Sequence, residues 1–151
     1  MLDVSLLEYQ NYLKTRHNSD GQTEIFDPVR KQWLKLQPEE LVRQLFIQFC
    51  IVENICSANL ISVEKEIVFN SMRRRYDIVL YSSNGSPWLL VECKSPDIEL
   101  GQNVLNQAAR YNLTLNVPYV VVTNGPETHG FKIDFENQLF TPLRQFPAPP
   151  F

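Results

Sequence analysis

Apolar positions recur along the chain with two rhythms. Leu41, Leu45, Phe46, Phe49 and Cys50 follow Pro38-Glu39-Glu40 at helical spacing, with Val42, Ile47 and Ile51 widening the apolar surface. The pattern predicts a largely buried helix, opened by a proline that suits the first turn and by acids that complement the helix dipole. Ile61, Val63, Ile67 and Phe69 alternate and predict a strand over Leu60 to Phe69. Tyr76 to Leu80 and Leu89 to Lys94 read as two more strands about Ser83-Asn84-Gly85-Ser86. A second helix is expected from Gln102 to Leu115. The unbroken run Tyr119-Val120-Val121-Val122-Thr123 then suits a buried parallel strand, and Gly130 to Phe135 a last strand. At the front, Leu2, Leu6, Leu7, Tyr9, Tyr12 and Leu13 predict a docking helix. Glu24 to Leu34 reads as a small hairpin turning at Asp27-Pro28, with no chemistry attached. Phe146 to Phe151 is proline-rich and expected to be extended and mobile. The order predicts an α/β fold on one mixed sheet, with an N-terminal helix and loop over 1–24, a main domain over 25–140 and a tail over 141–151.

The central hairpin carries the chemistry. Asn-Gly favours a two-residue turn. With Asn84 and Gly85 as that turn, Ser83 faces Ser86, Tyr81 faces Trp88 and Asp77 faces Glu92. Alternation then puts Asp77, Glu92 and Lys94 on one face of the sheet. Opposed Cβ atoms lie roughly 4.5–5.5 Å apart, where like charges repel. Something positive must compensate: a divalent cation, the Lys94 ammonium, or both. The plainer alternative is a structural Glu92–Lys94 ion pair beside a solvated Asp77. Arg73, Arg74 and Arg75 stand next to this hairpin, where they suit either phosphate contacts or a solvated basic turn.

Composition narrows the classes. The chain has 151 residues, 44% apolar and 21% charged, ordinary for one soluble domain. Cys50, Cys56 and Cys93 are odd in number, lack CxxC spacing and sit in apolar runs, which predicts buried free thiols in a reducing compartment. His17 and His129 are remote from them, so no zinc site is expected. With no leader and no apolar run of about 18 residues, we expect a cytoplasmic protein without a membrane partner. The net charge of −3 confines any nucleic-acid contact to a local patch.

Four motifs in order, Pro38-Glu39-Glu40-Leu41-Val42-Arg43-Gln44, Tyr76-Asp77, Val91-Glu92-Cys93-Lys94 and Gln107-Ala108-Ala109-Arg110-Tyr111, carry a family resemblance. Together with Tyr119 to Gly125 they resemble the PD-(D/E)xK nuclease superfamily, most closely the N-terminal domain of type I restriction enzyme R subunits. The resemblance implies a restriction-endonuclease-like three-layer sandwich with α-β-β-β-α-β order, and metal-dependent DNA cleavage with Mg²⁺ or Mn²⁺. It makes Asp77, Glu92, Glu40 and the backbone carbonyl of Cys93 metal ligands, and Lys94 the residue that orients the attacking water. Gln107 and Tyr111 would sit over the site, with Arg43, Gln44 and Arg110 in supporting contact with nucleic acid. The Cys93 side chain is expected on the opposite, apolar face. The resemblance implies DNA as substrate; with no helicase or translocase expected in this stretch, a restriction-system or motor partner is expected, and a homodimer is plausible. A non-catalytic nuclease-fold module for DNA binding or assembly is the rival reading, and a hydrolase of another phosphate ester is a third.

Overall fold

The computed structural model describes residues 1–150, so Phe151 at the end of the expected tail lies outside the described residues. Helix α1 spans Pro38–Val52 and buries Val42, Leu45, Phe46, Phe49 and Cys50. It stops where Asn54 takes φ 54°, a left-handed conformation that cannot continue the helix. Strands β1 (Thr15–His17), β2 (Thr23–Asp27) and β3 (Gln32–Lys35) form a small antiparallel sheet ahead of it. The hairpin expected at Asp27-Pro28 is its β2–β3 pair. The expected N-terminal helix is instead a short 3-10 segment, Leu6–Tyr12. The chain on either side is pinned, Leu2 N–H to the Thr128 carbonyl at 2.8 Å and Thr15 opposite Ile25, which leaves little length for an α-helix between.

Six further strands, β4 (Ile61–Phe69), β5 (Met72–Tyr81), β6 (Pro87–Cys93), β7 (Tyr119–Thr123), β8 (Thr128–Asp134) and β9 (Leu139–Pro142), lie side by side in chain order. All neighbours are antiparallel except β6 and β7. The parallel pair encloses α2, Gln102–Tyr111. This helix ends short of the expected Leu115 because Asn112 turns its side-chain amide back to the Ala108 carbonyl at 2.7 Å. The fold is therefore mixed α/β, with a six-stranded mixed sheet and a three-stranded one. The apolar face of α1 packs on Ile78, Leu80, Leu89, Val91 and Cys93 together with Leu2 and Leu6. That of α2 packs on Val79, Leu90, Val120 and Val122. The tail is not wholly loose: Phe146 lies edge-on to Phe49 at 5.0 Å.

The central turn corrects the expected pairing while preserving its outcome. Gly85 takes φ 86° and donates its N–H to the Ser82 carbonyl at 2.9 Å, so the loop has three residues, Ser83 to Gly85. Asn84 Oδ1 accepts the Ser86 N–H at 3.1 Å, a side-chain turn that favours this longer loop. Tyr81 consequently faces Pro87 and not Trp88. A bulge at Trp88, whose indole is buried in the α1-side core, then absorbs the extra residue. Beyond it Leu80 faces Leu89 and Ile78 faces Val91, the expected register.

Candidate active site

That register brings Asp77 near Glu92 just past the end of the β5–β6 pairing, but the expected common face is not kept: Asp77 turns towards α1, whereas Glu92 and Lys94 turn towards α2. The ladder stops at Ile78–Val91, and Asp77 Oδ2 accepts the Cys93 N–H at 2.8 Å, replacing a strand carbonyl. On its other side β4 yields: paired positions pass from Val63–Ile78 to Lys65–Tyr76, and Glu64, between them, has φ 53°. A glutamate in the left-handed region is held there at a cost, and such strain gathers at functional sites.

Towards α1, Asp77 meets cations. Arg43 Nη2 donates to Asp77 Oδ1 at 2.9 Å while Arg43 Nη1 donates to Glu40 Oε2. The other oxygen of Glu40 accepts from Arg30 Nη2. Arg30 is itself fixed by Asp27, whose Oδ2 accepts from Arg30 Nε at 2.5 Å and whose Oδ1 accepts the Val29 N–H at 2.7 Å. Burial disfavours the charge on Asp27, yet these hydrogen bonds outweigh it and hold its pKa below the ordinary value. Glu64 lies 3.9 Å from Arg43 and 3.8 Å from Arg30. The charge that compensates Asp77 is thus a guanidinium. Asp77 is half-buried and held by Arg43 and is not left to solvent alone, and the Asp27 hairpin is not inert scaffold.

Towards α2, the same hairpin opens a cleft of about 300 Å³ lined by Glu92, Lys94, Gln107, Tyr111 and Arg75. Gln107 and Tyr111 share a face because they are four apart on α2. Burial pushes the Glu92 pKa up; the Lys94 charge opposes it, Asp77 adds to it and Asn112 pulls it down. Lys94 forms no ion pair with Glu92 among the described residues, so the plainer reading of this strand end fails. Cys93 points the other way, buried in the α1-side core as expected, and its thiol pKa is raised by that burial. All three cysteines are free, Cys50 and Cys93 buried and Cys56 half-buried.

The basic residues separate by exposure. Arg74 stacks over Tyr111 at 4.1 Å, Arg75 and Arg110 are exposed, and Arg73 pairs with Glu66 at 2.9 Å. Arg43 is 9% exposed and Gln44 fully buried, its amide turned to Glu40, so neither faces a nucleic acid directly. Burial lowers the pKa of Arg43, but Asp77 and Glu40 more than restore it.

Four residues of the site escaped the sequence reading. Asp27 ends β2 and Arg30 lies in the turn that follows, with no periodicity to mark either. Glu64 had a signal, the charged run Glu64-Lys65-Glu66 that interrupts an alternating strand. Asn112, buried and accepting the Tyr76 hydroxyl, looked like one more helix residue. As donors, Glu40, Asp77 and Glu92 supply only oxygen, which suits a hard divalent cation. Both oxygens of Glu40 and of Asp77 are already taken, however, and no three His, Cys, Asp or Glu side chains among the described residues converge as a metal cluster.

A mixed α/β domain with two acids and a lysine at the end of its central hairpin is the class defined so far. Residues 38–147 match the family model of the type I restriction enzyme R protein N terminus, and the chain belongs to that family. The match begins at α1 and leaves out the small sheet that delivers Arg30. No curated protein matches the chain.

Proposed function

We propose that this chain is a metal-dependent phosphodiesterase acting on DNA, a restriction-endonuclease-like sandwich of the PD-(D/E)xK type that works with a restriction-system partner in the cytoplasm. The observation that carries the reading is the α2-side cleft: Glu92 and Lys94 reach it from consecutive outward positions of one strand end, and Gln107 and Tyr111 close it from above. A structural sheet edge has no need to turn an acid, an unpaired lysine and a glutamine–tyrosine face into one cavity. Membership of a restriction family supports DNA as the substrate class. No helix is long and apolar enough to cross a membrane.

Asp77, Glu92, the Cys93 carbonyl and Glu40 would hold Mg²⁺ or Mn²⁺, which when bound acidifies water and polarises a phosphoryl oxygen. Lys94 places a positive charge in the cleft where the attacking water and the developing charge would sit. Gln107 offers amide donors to phosphate oxygens, and Tyr111, backed by Arg74, offers a stacking face. Arg75 and Arg110 add backbone contacts from the rim.

The test is cleavage of supercoiled plasmid and of single-stranded DNA with Mn²⁺, Mg²⁺ or EDTA, with folded Lys94→Ala beside the wild type. Metal-dependent cutting lost in the variant is the expected outcome; equal cutting by both proteins sinks the reading. The occupation of Glu40 by Arg30 and Arg43, and of Asp77 by Arg43 and the Cys93 N–H, favours a second reading, a non-catalytic module for DNA binding or assembly. Retained DNA binding with no cutting under any metal would select it.

A further inference from the structure

Tyr111 is displayed where a packing residue would be hidden. Tyr76 shows the contrast: its ring is buried and its hydroxyl donates to Asn112. Tyr111 is 46% exposed at the C-terminal end of α2. The Arg74 guanidinium lies over its ring at 4.1 Å, covering one face and leaving the rest to solvent. Two clefts meet at this ring. Glu92 and Lys94 line one of about 300 Å³, Asn106 and Arg110 line the other of about 570 Å³, and Gln107 and Tyr111 belong to both. Among the described residues Arg74, Lys94 and Arg110 are in no ion pair, whereas Arg73 pairs with Glu66 at 2.9 Å and Arg75 lies 3.6 Å from Glu64. Uncompensated cations therefore flank one open aromatic face, with side-chain amides that both donate and accept beside it. A duplex has little to give such a ring, because its base faces are covered by their neighbours and its width exceeds the smaller cleft. An unpaired strand alternates free base faces with phosphates, the same alternation as ring and cation here.

We infer that the cleft takes an unpaired strand of DNA, with one base stacked on Tyr111 and the flanking phosphates on Lys94 and Arg110. The inference rests on the phosphodiesterase reading and narrows its substrate to single-stranded segments, frayed ends and flaps among them. Arg74 fixes the ring from behind, so that the stacking face is set before the strand arrives. Strand form is selected by the ring, while base identity is read weakly, since every base has a π face.

The experiment is fluorescence anisotropy in EDTA at low salt, with three labelled probes of equal strand length. These are an oligothymidylate, a duplex, and an abasic strand that keeps the phosphates without bases. The proteins are the wild type, Tyr111→Phe, Tyr111→Ala and Arg144→Gln, each checked by thermal unfolding. The wild type should bind oligothymidylate about tenfold more tightly than duplex, the scale of one stacked base. Tyr111→Ala should lose about tenfold on oligothymidylate and change little on the abasic strand. Tyr111→Phe keeps the ring and should bind as the wild type does. Arg144→Gln removes an exposed charge beside the N-terminal segment, where the Arg144 carbonyl accepts the Asp3 N–H, and should change little. Should Tyr111→Ala fail to fold, Tyr111→Leu, apolar but without a π face, replaces it with the same expectation. Duplex bound as tightly as oligothymidylate overturns the inference and leaves the phosphodiesterase reading standing. So does a Tyr111→Ala loss as large on the abasic strand, or an equal loss in Arg144→Gln. Binding of none of the three probes also overturns it, and plasmid cleavage then decides the phosphodiesterase reading separately.

Discussion

The two sides of one hairpin end are built on opposite plans. On the α1 side, Asp27, Arg30, Glu40, Arg43 and Asp77 are linked in an alternating chain of charge in which every carboxylate is hydrogen-bonded. On the α2 side, Glu92 and Lys94 share a cavity without pairing, beside exposed Gln107 and Tyr111. Closed networks of this kind are costly to break, because each partner removed leaves a charge stranded away from water. Open clusters with unsatisfied groups are where binding energy is still available. The difference is one of satisfaction: Asp77 and Glu40 are held in a balanced framework of charge, whereas Glu92 and Lys94 open onto the cleft.

Breaking the framework should cost most. Asp27→Ala releases Arg30 and, through it, Glu40, and should destabilise the fold by about 3 kcal/mol in chemical denaturation at neutral pH. The Asp27 pKa is lower folded than unfolded, so its contribution is complete above the ordinary value of 3.8 and is lost as pH falls through the folded value. The Asp27→Ala penalty should shrink in that acid range; a pH-independent penalty would mean that packing, not charge, held the loop. Next comes the cleft. Lys94→Ala should lower DNA cleavage by about 100-fold, the scale of a lost electrostatic stabiliser, with unfolding unchanged. Smaller is Arg110→Gln at the rim, which should weaken DNA binding by about 1 kcal/mol and reduce the salt slope by about one charge. The smallest effect sharpens the contrast by its sign. The Glu92 pKa is raised by burial, so the native state favours its protonated form. That advantage exists below the ordinary value of 4.5 and is lost as pH rises through the folded value. Glu92→Gln should therefore stabilise the metal-free protein at neutral pH, on the order of 0.5 kcal/mol, and the gain should vanish in acid.

Much of the fold is legible in the sequence. Pro38-Glu39-Glu40 and the spacing of Leu41, Leu45 and Phe49 marked α1, because a buried helix must keep its apolar residues on one stripe. The β-branched run at 119–123 marked a strand covered on both faces. The repulsion between Asp77 and Glu92 was also legible, and with it the need for a cation. What periodicity could not reveal was which cation. Arg30 reaches Glu40 from a separate sheet, and Arg43 reaches Asp77 across 34 positions of chain. Side-chain reach over such separations leaves no local pattern. The N-terminal apolar residues misled for a related reason: tethering at Leu2 and at Thr15 overrode a helical spacing.

The bulge at Trp88 gives the hairpin a parity. A two-residue turn without a bulge and a three-residue turn with one deliver the same register, with Leu80 against Leu89 and Ile78 against Val91. Each device alone would slide β6 by one position, turning the Glu92 carboxylate into the apolar core and the Cys93 thiol into the cleft. Turn and bulge are thus a single heritable unit. Lengths of this loop can drift only in step with the indole that absorbs the change, and a one-residue insertion here would erase the site without altering any residue in it.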